Sequence, residues 1–231
     1  MLNVVGALRE SCDVFFYQLG LDVGNRRISE IGRRFGLGST LGVDIPGERS
    51  GLLIDSATYE KWFERRGWKW SSGEILNIAI GQGALLVTPL QQAAMAGSIA
   101  WGKGLYKPHF LKEIRNPEGE VLRKFTPEKI SEGKISDKAR ELVLKGMDEV
   151  VNSPHGTGRR AIVHGVKVGG KTGSAENPHG DKTHAWFAAV APLEAPEIAI
   201  SVVLENAGGG GAMAAPIAQK ILDAYFNPEV K

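Results

Sequence analysis

The sequence predicts a mixed α+β fold, an antiparallel sheet with helices packed against it. Residues 166–175, 184–191 and 198–205 carry the two-residue period of strands and are separated by turn residues, so an antiparallel meander is their simplest arrangement. Ahead of them, Thr88-Pro89-Leu90-Gln91 opens a helix with three agreeing signals: a threonine N-cap, proline at the first helical position and glutamine at the capping-box position. Behind them, residues 214–226 form a last helix with Ile217, Ile221, Leu222 and Tyr225 on one face, fit to lie across the sheet. With 231 residues, 42% of them hydrophobic, the chain can bury a substantial core, and one domain over 1–231 is expected.

The remaining elements follow in order. Residues 1–10 read as a short helix with Val4, Val5 and Leu8 on one side. Asp13 can cap the next helix, whose Val14, Phe15, Phe16, Tyr17, Leu19 and Leu21 are too apolar all round for a surface helix, so burial is expected. Ile28, Ile31 and Phe35 make a third helical stripe closed by Gly36. Glycines and Pro46 break residues 38–55 into turns and small hairpins. Trp62, Phe63, Trp68 and Trp70 lie among charges; they either line a groove or pack as a satellite cluster under a loop. Residues 106–111 and 120–125 flank the Asn116-Pro117-Glu118-Gly119 turn as a hairpin. Ser136 caps an amphipathic helix carrying Leu142, Val143, Met147, Val150 and Val151, and Gly156-Thr157-Gly158 marks a loop. Residues 207–211 read as a flexible loop.

Composition excludes several classes. Net charge is +2 and the basic residues are scattered or interleaved with acids, so nucleic acid is not a partner that the composition supports. The single Cys12 rules out an intramolecular disulfide and a thiolate zinc cluster, and neither a metal nor a cofactor is expected. No apolar run is long enough to span a bilayer, and residues 1–20 lack a signal-peptide pattern.

The chemistry concentrates in Gly169-Gly170-Lys171-Thr172-Gly173-Ser174-Ala175. A strand edge with this composition can pair its backbone with an extended ligand while the ammonium of Lys171 and the hydroxyls of Thr172 and Ser174 hold a carboxylate. Two other stretches precede it, Ser11-Cys12-Asp13 at a helix junction and Gly81-Gln82-Gly83 ahead of the capped helix, and His184-Ala185-Trp186-Phe187 follows it.

In this order, with 160 residues between Ser11 and Lys171, the motifs resemble those of the penicillin-recognising serine transpeptidases. The wording from Glu10 to Gly20 is most similar to class B penicillin-binding proteins of the elongation type, and the similarity extends over essentially the whole chain. The resemblance implies a β-lactamase/transpeptidase-like fold and an acyl-serine mechanism that cross-links peptidoglycan stem peptides and is blocked by β-lactams. It implies that Ser11 relays a proton and that Lys171 supplies positive potential. Thr172 and Ser174 would bind the carboxylate with Gly173 between them, and the Ser174 N–H would be an oxyanion donor. Asp13 stands where many relatives place asparagine; as an ionised acceptor it holds either the substrate amide or the catalytic lysine. His184 and His179 are read as strand-end or loop residues, since the family moves protons with lysine and serine. The resemblance also implies an extracytoplasmic parent, attached to the membrane and working with cell-elongation membrane proteins.

The family's acylating Ser-x-x-Lys lies upstream of the Ser11 motif, and only ten residues precede Ser11 here. The one literal match, Ser131-Glu132-Gly133-Lys134, comes after the second motif and contains a glycine that opposes the required helical turn, so it reads as a polar linker. Three readings stand: a partial transpeptidase domain inactive by itself, a non-catalytic peptide- or carboxylate-binding module, and a serine hydrolase of another type using Ser131 or Ser11. Without the upstream helix, apolar surface along residues 14–21 and after Thr88 is expected to be exposed and to drive self-association or poor solubility.

Overall fold

A computed structural model describes residues 2–53, 58, 60–61, 64–65, 67, 73–177, 180 and 182–228. The tryptophan cluster at 62–70 and His179 lie outside the described residues. Three helices come first: α1 (Val4–Glu10), α2 (Asp13–Val23) and α3 (Asn25–Arg34). Asn3 starts α1, its Oδ1 accepting the Gly6 N–H at 2.9 Å. Asp13 is not the cap of α2. Cys12 occupies that place without a side-chain bond, and Asp13 is the first helical residue, where a carboxylate complements the helix dipole. The expected burial of α2 is corrected too. Gly20 is its only buried residue and Val14 is 74% exposed, because α2 packs on one side, against α3 and α4 (Gly73–Ala79).

Helix α5 (Pro89–Trp101) begins as the capping box requires: Thr88 Oγ1 accepts the Gln91 N–H at 3.1 Å, and Gln91 Oε1 accepts the Thr88 N–H at 2.9 Å. The other end of the Gln91 amide, fully buried, donates to the carbonyls of Gly36, Ser39 and Ser50 at 3.2, 2.8 and 2.8 Å, and so ties the turns after α3 to this helix.

The expected hairpin is shifted. Tyr106 belongs to β1 (Leu105–Tyr106), which pairs with β4 (Lys129–Ser131), while β2 (Glu113–Arg115) pairs with β3 (Val121–Lys124) around the Asn116 turn. After Lys107, whose N–H still donates to the Glu128 carbonyl at 2.8 Å, the chain leaves the ladder because Pro108 has no N–H to give and the N–H groups of Phe110 and Leu111 donate to the Asp44 carboxylate. Helix α6 (Asp137–Asn152) is capped by Ser136, whose hydroxyl accepts the Ala139 N–H at 3.2 Å. After a short 3₁₀ turn (Arg159–Ala161) come β5 (Gly169–Ala175), β6 (His184–Ala191) and β7 (Ile198–Leu204), antiparallel in that order. The last helix, α7 (Gly210–Phe226), starts four residues before its expected place, so part of the anticipated loop is helical.

The period of β6 explains the layers. Ala185, Phe187, Ala189 and Ala191 face one way, into a cluster with Val150, Val151, Ala214, Ala215, Ala218 and Leu222. Ala188 and Val190 face the other, against Ala96, Ala100 and Met147. A strand covered on both faces reads as a continuous apolar run, as β6 does from Ala185 onward. The face of α7 that meets the sheet is therefore the alanine stripe with Leu222; Ile221 and Tyr225, expected on that face, are 45% and 52% exposed. Small residues let the helix approach the sheet closely, which the larger ones would prevent.

Candidate active site

Ser11 and Lys171 reach each other through a chain of packed elements. Helix α1 lies on α6, where Gly146 leaves room for Leu8 and Arg9 pairs with Glu149 at 3.1 Å. Helix α6 is in turn tied to the lead-in of β5 by Asn152, which donates to the Val168 carbonyl at 2.9 Å. The result is that Lys171 Nζ donates to Ser11 Oγ at 2.8 Å across 160 residues. Ser11 closes α1 with a left-handed backbone, φ 53° and ψ 52°. For a residue with a Cβ this costs about 1 kcal/mol, and it turns the hydroxyl out of the helix junction toward β5.

Lys171 also donates to the Thr172 carbonyl at 2.9 Å. Burial lowers its pKa from 10.5 to about 8, opposed by the nearby negative charge of Asp13. The ammonium thus stays largely protonated at neutral pH while holding its proton less tightly than a surface lysine. Asp13 itself is exposed and sits near enough to Lys171 to act on its charge. The Thr172 hydroxyl meets that of Thr157 at 2.9 Å, and Ser174 Oγ accepts the Gly210 N–H, at the start of α7, at 3.4 Å. Gly170 fits the strand because Phe187 lies beneath it: a Cβ there would come within 2.5 Å of Phe187 Cζ.

Two residues at the site carried no assigned role in the sequence reading. Gln82 donates from Nε2 to the Ser174 carbonyl at 3.4 Å and accepts the Glu176 N–H on Oε1 at 3.0 Å. Thr157 lies in the Gly156-Thr157-Gly158 loop, and nothing local marks it as a neighbour of Thr172. By contrast, His184 sits at the start of β6 with Nδ1 accepting the Asn206 N–H at 3.0 Å, which agrees with its reading as a strand-end residue. Ser131 is part of β4 rather than a linker. Its hydroxyl donates to the Arg34 carbonyl at 2.8 Å, Gly133 has φ 51°, and the exposed Lys134 pairs with Glu132. No helical turn joins Ser131 and Lys134, so this pair does not make a nucleophile. Among the described residues no three His, Cys, Asp or Glu side chains converge as metal ligands, and no helix is long and apolar enough to cross a membrane.

Residues 1–223 match the family described as the penicillin binding protein transpeptidase domain. The chain is 35% identical over 241 residues to the peptidoglycan D,D-transpeptidase MrdA of Haemophilus influenzae, an alignment that covers 96% of this chain and 36% of that protein. Its fold superposes on Pseudomonas aeruginosa PBP2 in complex with WCK 5153 with a TM-score of 0.81 at 32% identity, covering 99% of this chain and 48% of that one. It superposes on Helicobacter pylori PBP2, solved in complex with MreC, with a TM-score of 0.77 at 33% identity, covering 96% and 40%. The chain therefore spans less than half the length of these relatives.

Proposed function

This chain belongs to the penicillin-binding protein transpeptidase family, and we propose on that premise that it forms the proton-relay and carboxylate-binding walls of a D,D-transpeptidase of the penicillin-binding protein 2 type. The contact between Lys171 Nζ and Ser11 Oγ carries the reading, since it joins two motifs remote in sequence in one hydrogen bond. The ammonium holds a lone pair of Ser11, leaving the hydroxyl proton to pass between a catalytic lysine and the leaving nitrogen of a stem peptide. Thr172 and Ser174 hold the C-terminal carboxylate of that peptide, Gly173 keeps the strand open to it, and the Ser174 N–H stabilises the oxyanion. A donor of this kind supplies about 3 kcal/mol in the transition state. Asp13 tunes the charge of Lys171 and, as an acceptor, receives a hydrogen bond from substrate amide or lysine.

The acyl bond forms on a serine of a helical Ser-x-x-Lys segment ahead of the Ser11 motif, and the one literal match in these 231 residues, Ser131 to Lys134, is not helical, so the chain alone binds without being acylated. The whole protein acts on peptidoglycan outside the cytoplasm, is a target of β-lactams and joins an MreC-like partner; the peptidoglycan D,D-transpeptidase MrdA and the PBP2–MreC complex of Helicobacter pylori support the first and last of these. The test is a fluorescent penicillin. No covalent band is expected on this chain, whereas a protein joining an upstream Ser-x-x-Lys segment to it is labelled. A covalent band on the 231-residue chain overturns the missing nucleophile, and reversible binding indifferent to Lys171→Gln overturns the carboxylate site.

A further inference from the structure

Strand β5 is one of the two edges of the three-stranded sheet, and several of its polar groups already have partners. Residues two apart on a strand direct their N–H and C=O groups to the same edge. Because Gln82 reaches the Ser174 carbonyl and the Glu176 N–H from outside the sheet, the edge turned away from β6 is the one formed by residues 172, 174 and 176. Along it, the Thr172 carbonyl takes the Lys171 ammonium, and the Ser174 carbonyl and Glu176 N–H take the two ends of one Gln82 amide. Between these points lies the Ser174 N–H.

An antiparallel ligand strand would use the same groups. The residue opposite Ser174 offers its carbonyl to the Ser174 N–H and its own N–H to the Ser174 carbonyl; the carbonyl two residues further upstream would meet the Glu176 N–H. The two bonds of Gln82 are unequal: the one to Ser174 is long at 3.4 Å and the one to Glu176 is 3.0 Å. The side chain projects from a turn between Gly81 (φ 80°) and Gly83 (φ 72°), and the Gln82 N–H is anchored on the Asn77 carbonyl at 2.8 Å. A ligand amide can therefore displace the weak half of the contact while the firm half stays.

We propose that Gln82 is a specificity-determining residue that ends strand pairing at Ser174 by standing in for the peptide carbonyl that would otherwise meet the Glu176 N–H. The inference rests on β5 being the peptide-binding edge proposed above. It predicts an enzyme that recognises the terminal dipeptide and is indifferent to backbone further upstream.

The experiment compares reversible binding of two ligands to the 231-residue chain: N-acetyl-D-alanyl-D-alanine, and the same dipeptide extended by one acetylated residue, which adds the carbonyl in question. For the unaltered chain the two affinities are similar. Gln82→Ala frees the Glu176 N–H and favours the longer ligand by about three- to tenfold, the worth of one added hydrogen bond. Gln82→Glu keeps an acceptor for that N–H and leaves the ratio unchanged. An unchanged ratio in Gln82→Ala overturns the proposal, as does an equal loss for both ligands, which would make Gln82 a support of β5 instead. If neither ligand binds in a Lys171-dependent way, the peptide-edge reading falls and this inference falls with it.

Discussion

The two walls of the site are held in opposite ways. The wall that carries Lys171 is a strand inside a layered structure: Phe187 beneath it is fully buried, β6 pairs it along its length, and α7 begins against it. The wall that carries Ser11 is a junction between two helices, of which α2 leaves Val14, Leu19 and Leu21 exposed while α1 buries Val5 and Ala7 and packs on α6. The strand is enclosed, whereas the junction is closed along α1 and open along α2. A site assembled this way keeps its carboxylate-binding side rigid and has its less tightly packed side on α2.

The largest effect should come from adding the same methyl group to both walls. Gly170→Ala drives a Cβ into Phe187 and the Ala188 carbonyl, and a loss of about 3 kcal/mol in chemical denaturation is expected. Gly146→Ala meets Leu8, whose Cδ1 can turn away but whose Cβ, 2.9 Å off, can give only with its backbone, and about 2 kcal/mol is expected. Equal losses would break the comparison.

Substitutions of the bonded pair sharpen it. Lys171→Met removes the charge from the rigid wall and should weaken reversible binding of an acyl dipeptide carboxylate at least tenfold by calorimetry, in keeping with roughly 1.5–3 kcal/mol for a charged hydrogen bond. Ser11→Ala leaves the ammonium in place and should cost about threefold or less. A larger loss from Ser11→Ala would mean that the junction, not the strand, holds the carboxylate.

The smallest effect is on pH dependence. Lys171 has a folded pKa of about 8, below its ordinary 10.5, so between these values the unfolded chain binds more protons than the folded one. Stability should rise as pH increases from about 8 to 10.5 and level off beyond, and Lys171→Met should remove that rise from urea titrations. Binding of a carboxylate should change in the opposite sense, weakening as pH passes 8. On the other wall, the exposed face of α2 predicts association: light scattering should show species larger than one chain, and Val14→Glu should reduce them.

Much of this was readable from short stretches of sequence. The capping box at Thr88, the cap at Ser136 and the meander of β5, β6 and β7 each depend on residues within a few positions of one another, and each forms as expected. Local pattern misleads where the deciding partner is distant. Residues 107–111 look like a strand until Asp44 takes the N–H groups of Phe110 and Leu111. Helix α2 looks buried by composition, but burial depends on what lies against it. The bulky stripe of α7 was preferred over its alanines because apolar size says nothing about how closely a helix must approach a sheet.

The amino-acid sequence by itself determined most of the kinds of elements, the starts of α5 and α6, and the order of the Ser11 and Lys171 motifs, because caps and periodicity act within one or two turns of chain. Only the tertiary structure decided that Ser11 Oγ would lie 2.8 Å from Lys171 Nζ, that Gln91 would gather three carbonyls from distant turns, and that Gln82 would stand on the edge of β5. The first of these depends on how α6 spaces α1 from the sheet and the others on how α5 and the Gln82 turn are seated, and a close-packed interior sets such spacings through all of its side chains at once.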